Sequence, residues 1–278
     1  MALSTITIFS SIKLFSDPLH CIVRNIAVAA GLSMLVGGLS FQVHAQDAYW
    51  HQRVSLFDRL PVGNDDIVFL GNSITDGGEF QELFEMDNVL NRGIRSDRIN
   101  GVRKRLDQVT SGHPKKIFLL IGINDVADSR QTPSSLADMY EQLVRDIREK
   151  SPETTLYIQS VMPINNDFKR YKSLYGREEI IPALNEKLKD IADRNGAVYI
   201  DLWPALADPS SGKMKKQFTS DGLHLTGAGY RAWTDAVKEY LLEDAAPAQT
   251  EEAKPEDVQP VDSKSEQKHT ISIVKGKG

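Results

Sequence analysis

The chain has 278 residues, of which 41% are hydrophobic and 26% charged, and these values are ordinary for a soluble globular protein. Its formal net charge of −5 argues against nucleic acid or an anionic membrane as the main partner, because both require a basic surface. Cys21 is the only cysteine, so the sequence excludes an internal disulfide and a cysteine-based metal site.

The first segment has the pattern of a secretory signal peptide. Arg24 precedes an apolar run over residues 26–41, and a small residue, Ala45, follows it. The pattern predicts a signal peptide over residues 1–45, export to the periplasm or the cell exterior, and no stable membrane insertion after cleavage. An uncleaved N-terminal anchor is the alternative, although the run is slightly short for a membrane span.

Residues 46–243 show two alternating apolar periods, which predict one three-layer α/β domain around a parallel sheet. Nearly continuous apolar runs are typical of parallel strands covered on both faces. The predicted strands are residues 67–70, 89–90, 117–121, 156–161 and 197–202. Helical spacing of apolar residues predicts helices that begin near Pro133 and that cover residues 180–191 and 230–241. Residues 244–278 begin with a segment poor in aliphatic residues and without aromatics, so we expect a disordered tail.

Chemically suggestive residues follow the predicted strands. In sheets of this kind, ligands bind beyond the carboxyl ends of the strands. Ser73 comes after the first strand, Gly93 after the second and Asn124 after the third. Asp221 and His224 lie just before the last helix, in a segment that can fold back to the same edge. We therefore expect these five residues to meet at one end of the sheet.

This set of residues is suited to acyl transfer. A serine hydroxyl attacks only when a base takes its proton, and His224 can serve as that base for Ser73. Asp221 precedes His224 by three residues and can accept the hydrogen bond of its Nδ1–H. The backbone N–H groups of Ser73 and Gly93 and the Asn124 amide can donate to the oxyanion. Each residue taken alone could instead cap a helix or form a turn.

The motifs resemble those of the SGNH or GDSL-type hydrolases over residues 66–240. The matching blocks are Gly71–Thr75, Gly93, Gly122–Asp125 and Asp221–His224. The resemblance implies a flavodoxin-like parallel sheet of about five strands and esterase or acylhydrolase activity without a metal or other cofactor. The family often has aspartate where this chain has Asn72, and because the amide is isosteric we expect the turn to keep its geometry.

The favoured function is a secreted serine esterase that forms an acyl-enzyme on Ser73. The segment is most similar to secreted acetylhydrolases and sialate O-acetylesterase-like members, which implies O-acetyl esters of sugars or sialic acid as substrates. A lysophospholipase or thioesterase of the same fold and a catalytically inactive glycan-binding module are the alternatives. A metal hydrolase is disfavoured because the histidines after Ala45 are far apart and lack ligand spacing.

A basic cluster begins at the turn that carries Gly93. Its members are Arg92, Arg95, Arg98, Arg103, Lys104 and Arg105. Arg95 or Arg98 could bind an anionic group of the substrate through a bidentate contact. The alternative is a solvated helix face whose charges pair with Asp and Glu. The substrate partner is therefore predicted to be a small-molecule or glycan acyl ester, while the sequence leaves the oligomeric state open.

Overall fold

The computed structural model describes residues 47–243. The predicted signal peptide over residues 1–45 and the predicted tail over residues 244–278 lie outside the described residues, so both stay predictions. In the described part of the chain, no helix is both long enough and apolar enough to cross a bilayer.

Five parallel strands form one sheet. They are β1 (Ile67–Gly71), β2 (Val89–Gly93), β3 (Lys116–Leu120), β4 (Thr155–Gln159) and β5 (Val198–Ile200). Their order across the sheet is β2-β1-β3-β4-β5, and every neighbouring pair is parallel. This is the order of flavodoxin-like doubly wound folds. The predicted fold class and the strand number are therefore confirmed.

The strand boundaries differ from the sequence prediction where polar residues enter the sheet. The predicted second strand ends at Leu90, but β2 continues because Asn91 and Arg92 pair with β1. β4 and β5 end earlier than predicted, at Gln159 and Ile200, and in each case one polar residue separates the strand end from the next apolar residue, Val161 or Leu202. Apolar residues after these strands are buried without belonging to the ladder, so the apolar pattern overestimates the strand length.

Helices connect the strands. Those of the described residues are α1 (residues 47–57), α2 (Ser73–Asp76), α3 (Phe80–Phe84), α4 (Ile99–Lys104), α5 (Asp107–Thr110), α6 (Ile123–Val126), α7 (Pro133–Lys150), α8 (Ile180–Arg194), α9 (Trp203–Leu206) and α10 (Gly227–Leu242). The three longest match the predicted helices. Pro133 occupies the first position of α7, where the missing N–H costs no hydrogen bond, and Thr132 and Ser135 form a capping box before it.

An aromatic stack holds the last helix on the sheet. Phe69, Phe118 and Tyr157 lie on neighbouring strands and stack in sequence, with ring centroids 4.9 Å and 4.5 Å apart. Trp233 of α10 contacts Phe69 edge-on at 5.9 Å, and Phe80 of α3 stacks on Phe69 at 4.1 Å. All five rings are buried, so the stack fixes α10 and therefore the turn that precedes it.

The carboxyl ends of three strands meet at the switch point of the sheet. β1 lies between β2 and β3, and Gly71 at its end pairs with Gly93 on one side and Leu120 on the other. The residues that follow these strands therefore share one edge, where doubly wound folds bind their ligands.

Candidate active site

Ser73 occupies the first position of α2, two residues beyond the end of β1. Asn72 caps this helix, because its Oδ1 accepts a hydrogen bond from the Ile74 N–H at 3.0 Å. The turn is tight at Gly71, where a Cβ would lie 2.3 Å from the Leu120 carbonyl oxygen. The Asn72 amide thus supports the turn as expected, and the turn presents the Ser73 hydroxyl at the edge of the sheet.

Ser73, His224 and Asp221 form a continuous chain of hydrogen bonds. Ser73 Oγ lies 2.9 Å from His224 Nε2, and His224 Nδ1 lies 2.8 Å from Asp221 Oδ2. An ionised carboxylate only accepts, so His224 Nδ1–H donates to Asp221 and Nε2 is left to accept the proton of Ser73. The three residues that the sequence predicts as a catalytic group therefore lie in the geometry that this chemistry requires.

Asp221 is held as a carboxylate. Its Oδ1 accepts the backbone N–H groups of Leu223 at 2.9 Å and His224 at 2.8 Å. Burial opposes ionisation, but hydrogen bonds from the His224 side chain, these backbone groups and the Tyr171 hydroxyl outweigh burial and lower the pKa of Asp221 to about 2. The negative charge that stabilises a protonated His224 is therefore present at neutral pH.

Tyr171 is a residue of the site that the sequence reasoning missed. Its hydroxyl donates to Asp221 Oδ2 at 2.8 Å and lies 2.9 Å from His224 Nδ1. It belongs to the irregular segment between β4 and α8, which contains the 3₁₀ turns Asn166–Phe168 and Lys172–Leu174. Lone tyrosines in such a segment carry no sequence signal, so no pattern in the chain could have pointed to it.

Asn124 lies at the same edge, in the turn after β3. Gly122 adopts φ 125°, a conformation that favours glycine, and α6 begins directly after it. One N–H of the Asn124 amide donates to the Asp97 carbonyl oxygen at 2.9 Å. The amide nitrogen carries a second N–H, which this contact leaves available.

The prediction that the Gly93 N–H binds the oxyanion is not supported by the structure. This N–H donates to Asn91 Oδ1 at 2.8 Å, so it is engaged within its own strand end. Glycine is required here for another reason, since a Cβ would lie 2.1 Å from the Asp76 backbone nitrogen. Asn91 also binds the Thr75 and Gly78 carbonyl oxygens, at 2.7 Å and 2.8 Å. Gly93 therefore allows the end of β2 to lie close against α2.

The loop after Gly93 supplies other backbone donors. The N–H groups of Arg95 and Ser96 have no acceptor among residues 47–243. Ser96 adopts φ 62°, a left-handed conformation that is uncommon outside glycine. The next residue is Asp97, whose carbonyl oxygen accepts from Asn124. A hydrogen bond therefore joins this loop to the turn after β3 that carries Asn124.

The basic cluster divides into buried and exposed arginines. Arg92 and Arg105 are buried, so the interpretation of a fully solvated face is wrong for them. Arg95 is 68% exposed and its Nε lies 3.0 Å from Asp76 Oδ2. Arg98 is half-exposed, and its guanidinium Nη1 lies 3.8 Å from Asp128 Oδ2.

A cavity of about 700 Å³ opens beside α2. Arg95, Arg53 and Tyr49 line it around the Asp76 carboxylate. The Tyr49 hydroxyl donates to Asp76 at 2.9 Å, and the Arg53 Nε lies 3.8 Å from the same carboxylate. Ser73 does not line this cavity, but Asp76 lies at the other end of the same short helix.

Comparison with known proteins identifies the family. The model of the GDSL-like Lipase/Acylhydrolase family matches residues 69–232, which is more than half of the chain. The chain belongs to this family. The resemblance found in the sequence motifs is thereby confirmed, and the chain is a carboxylic ester hydrolase.

Solved structures and one curated protein are similar to this GDSL-like acylhydrolase. A Streptococcus pneumonia protein named for platelet activating factor is 28% identical, with a TM-score of 0.65 over 77% of this chain and 99% of that one. A catalytic mutant of an acetylxylan esterase from Geobacillus stearothermophilus is 18% identical, with a TM-score of 0.51 over 65% of this chain and 96% of that one, a likeness of fold alone.

The curated protein is the N-acylneuraminate cytidylyltransferase of Escherichia coli O18:K1:H7, which is 25% identical over 178 residues. This match covers 63% of the present chain and 40% of the relative, so the chain spans about two fifths of that protein.

Proposed function

We propose that Ser73 is the acylated nucleophile of this ester hydrolase, with His224 as general base and Asp221 as the residue that orients His224. The chain of hydrogen bonds from Ser73 through His224 to Asp221 supports these roles. His224 Nε2 takes the Ser73 proton as Oγ attacks the ester carbonyl carbon, and then donates that proton to the leaving alcohol. Water, activated by the same histidine, releases the carboxylic acid and regenerates Ser73.

The oxyanion is stabilised by donors from the turns after β1 and β3 and from the loop after β2. The Ser73 N–H has no acceptor among the described residues. The second N–H of the Asn124 amide and one of the two free N–H groups of this loop, on Arg95 or Ser96, complete the set, because the Gly93 N–H is bound to Asn91. Such donors act on charge that develops only in the transition state, and they raise kcat.

The acyl group is short, and we propose acetyl. An apolar cavity of about 10 Å³ adjoins the nucleophile turn, between Ile74, Ile123 and Val161. The residues that line it are buried, and it has the volume of roughly one water-sized group, so the interior beneath the turn has no room for a long acyl chain. The fold likeness to an acetylxylan esterase supports this choice.

The leaving group is a carbohydrate, and we propose acidic sugars such as sialic acid among the substrates. The curated relative is named for N-acylneuraminate, a sugar that carries a carboxylate. Arg95 is exposed at the large cavity beside α2 and offers a guanidinium to such a group. Asp76, Glu79 and Glu82 also line this cavity, and Asp76 contacts the Arg95 Nε, so the terminal nitrogens of Arg95 are the ones that the proposal assigns to the anion. Arg98 does not line the cavity, which makes Arg95 the stronger candidate.

Export completes the proposal. We propose that the enzyme is exported to the periplasm or outside the cell, where acetylated glycans are accessible substrates, and the signal-peptide pattern over residues 1–45 supports this location.

The nucleophile is tested by Ser73→Ala. We expect kcat to fall by roughly 10⁴ or more on p-nitrophenyl acetate, and a serine-directed phosphonate to label the wild type at Ser73 alone. Retention of a tenth of the activity, or labelling at another serine, would remove Ser73 from this role.

The acyl specificity is tested with p-nitrophenyl esters from acetate to octanoate, beside O-acetylated neutral and acidic sugars with acetate release as the readout. Acetyl esters should react far faster than octanoyl esters. A preference for octanoate would instead indicate a lysophospholipase or thioesterase.

A further inference from the structure

The segment that carries Tyr171 is anchored to the turn that carries the Asp221–His224 pair. The Asn165 N–H donates to the Gly222 carbonyl oxygen at 2.8 Å, and the Asn165 amide donates to the Met214 carbonyl oxygen at 2.8 Å. Gly222 adopts φ 91°, and a Cβ there would lie 2.2 Å from the Asn165 carbonyl oxygen. The two backbones therefore meet directly, and only glycine permits this approach.

The far side of the segment is fixed as well. Leu174 is buried in the core, and the Arg177 guanidinium donates to the carbonyl oxygens of Val126 and Gln131. Tyr171 lies between these anchors, and its ring meets the His224 ring at 5.8 Å and an interplanar angle of 65°. Its hydroxyl is thus held in place by the fold rather than by a flexible surface loop.

We propose that Tyr171 is a positioning residue, which holds Asp221 and His224 in the orientation and tautomer that deprotonate Ser73. The proposal rests on the roles given above to Asp221 and His224. It assigns a function to a contact that neither the family match nor the sequence motifs include.

The hydrogen-bond directions explain how Tyr171 selects the tautomer of His224. Burial and the hydrogen bond to Asp221 raise the pKa of Tyr171 to about 12, so the phenol stays protonated at neutral pH. Its O–H donates to Asp221 Oδ2, and the phenol oxygen faces His224 Nδ1 with its lone pairs. His224 Nδ1–H therefore meets two acceptors, Asp221 and Tyr171. With the proton on Nε2 instead, the Asp221 carboxylate could not donate to Nδ1, and the Tyr171 O–H would have to leave Asp221 to do so. The arrangement favours the Nδ1–H form, which is the form that accepts from Ser73.

Tyr171 also occupies space beside a half-exposed histidine. The His224 side chain is 36% exposed, and the Asp221 side chain is 21% exposed. Without the tyrosine hydroxyl, water reaches the Nδ1–Oδ2 contact and competes for it. Because the contact strengthens as His224 becomes protonated, its weakening raises the barrier of the chemical step more than it changes substrate binding.

The test is Tyr171→Phe, which removes one oxygen atom and keeps the ring. On p-nitrophenyl acetate we expect kcat to fall about tenfold with KM within twofold of wild type, a loss that corresponds to about 1.4 kcal/mol of transition-state stabilisation. Tyr175→Phe is the matched control, because Tyr175 is exposed and its hydroxyl has no partner among residues 47–243. It should leave kcat and KM unchanged.

A double-mutant cycle separates positioning from other roles. If Tyr171 acts through Asp221, adding Tyr171→Phe to Asp221→Ala should lower kcat by less than threefold beyond the single Asp221→Ala variant. Multiplicative losses would show that Tyr171 acts independently of Asp221 and would overturn the proposal.

Three further results would overturn it. They are a kcat within twofold of wild type, a rise in KM alone, and a melting temperature so low that the activity loss follows the folded fraction. Ser73→Ala, measured in parallel, distinguishes a failure of the proposed function from a failure of the role given to Tyr171. If Ser73→Ala stays active, the proposed function fails, whereas an inactive Ser73→Ala beside an unaffected Tyr171→Phe refutes only the role of Tyr171.

Discussion

Arg105→Met tests whether a buried ion pair at the ends of β1 and β2 stabilises the folded domain. Arg105 Nε lies 2.8 Å from Asp97 Oδ2, and the two side chains are 0% and 1% exposed. The Arg105 Nη2 also donates to the carbonyl oxygens of Gly71 and Arg92, at 3.1 Å and 3.0 Å. Methionine has a similar length but no donor, so the substitution leaves the Asp97 carboxylate buried and without its cationic partner.

The expected cost is large because both charges are desolvated. Burial raises the pKa of Asp97 and lowers that of Arg105, while their mutual attraction opposes both shifts. Removing one partner of a buried pair typically costs about 3–5 kcal/mol. In a domain of this size, that corresponds to a decrease of roughly 6–20 °C in melting temperature.

Arg103→Met is the matched control. Arg103 pairs with Asp146 at 2.7 Å, but the two side chains are 32% and 31% exposed. Pairs of this kind contribute about 0–1 kcal/mol, because solvent screens the charges. We expect urea unfolding, followed by tryptophan fluorescence, to show a loss for Arg105→Met at least about 2 kcal/mol larger than for Arg103→Met.

A double variant tests whether the unpaired Asp97 charge causes the loss of stability. Asp97→Asn combined with Arg105→Met removes the unpaired charge but keeps an oxygen for the Trp50 and Arg98 N–H groups that Asp97 Oδ1 binds. It should be more stable than Arg105→Met alone. The reasoning is refuted if Arg105→Met and Arg103→Met lose the same stability, or if Asp97→Asn recovers none of the loss.

Three other predictions concern the site. Asn124→Ala should lower kcat by roughly 10²–10³ with little change in KM, as steady-state kinetics will show; a change in KM alone would assign Asn124 to substrate binding. Arg95→Gln should slow the hydrolysis of acidic acetyl-sugars by roughly 10- to 100-fold and leave that of neutral acetyl esters unchanged. Equal losses on both substrates would show that Arg95 acts only through its structural contact with Asp76. Burial raises the pKa of Asp125 to about 6, above the value near 4 that an aspartate has in the unfolded chain. Protonation of Asp125 therefore stabilises the folded state. This stability is fully present below about pH 4 and is lost as the pH rises through 6. Asp125→Asn should therefore gain stability relative to wild type between pH 4 and pH 7 in urea unfolding, and a difference that does not change with pH would contradict this sign.

The sequence by itself determined the fold class, the strand order along the chain and the positions of Ser73, Asn124, Asp221 and His224. This is possible because most parallel strands covered on both faces are nearly continuous in apolar residues, so they stand out as short runs. The positions of Ser73 and Asn124 then follow from one rule, since doubly wound sheets bind ligands at the carboxyl ends of their strands. Asp221 and His224 are also close in sequence, so their contact is local.

Only the tertiary structure decided the direction of individual hydrogen bonds. Gly93 has the expected position, but its N–H turns to Asn91, and this depends on how closely β2 approaches α2. Likewise, sequence pattern does not separate the buried Arg105 from the partly exposed Arg103, two residues away on a short helical stretch.

Tyr171 shows most clearly what the sequence pattern does not encode. It precedes Asp221 by 50 residues and lies in a segment without regular periodicity. Its place beside His224 results from a backbone contact between Asn165 and Gly222 that no local propensity encodes. Periodicity reports which face of an element is buried, whereas a contact between two irregular segments depends on the packing of the whole domain.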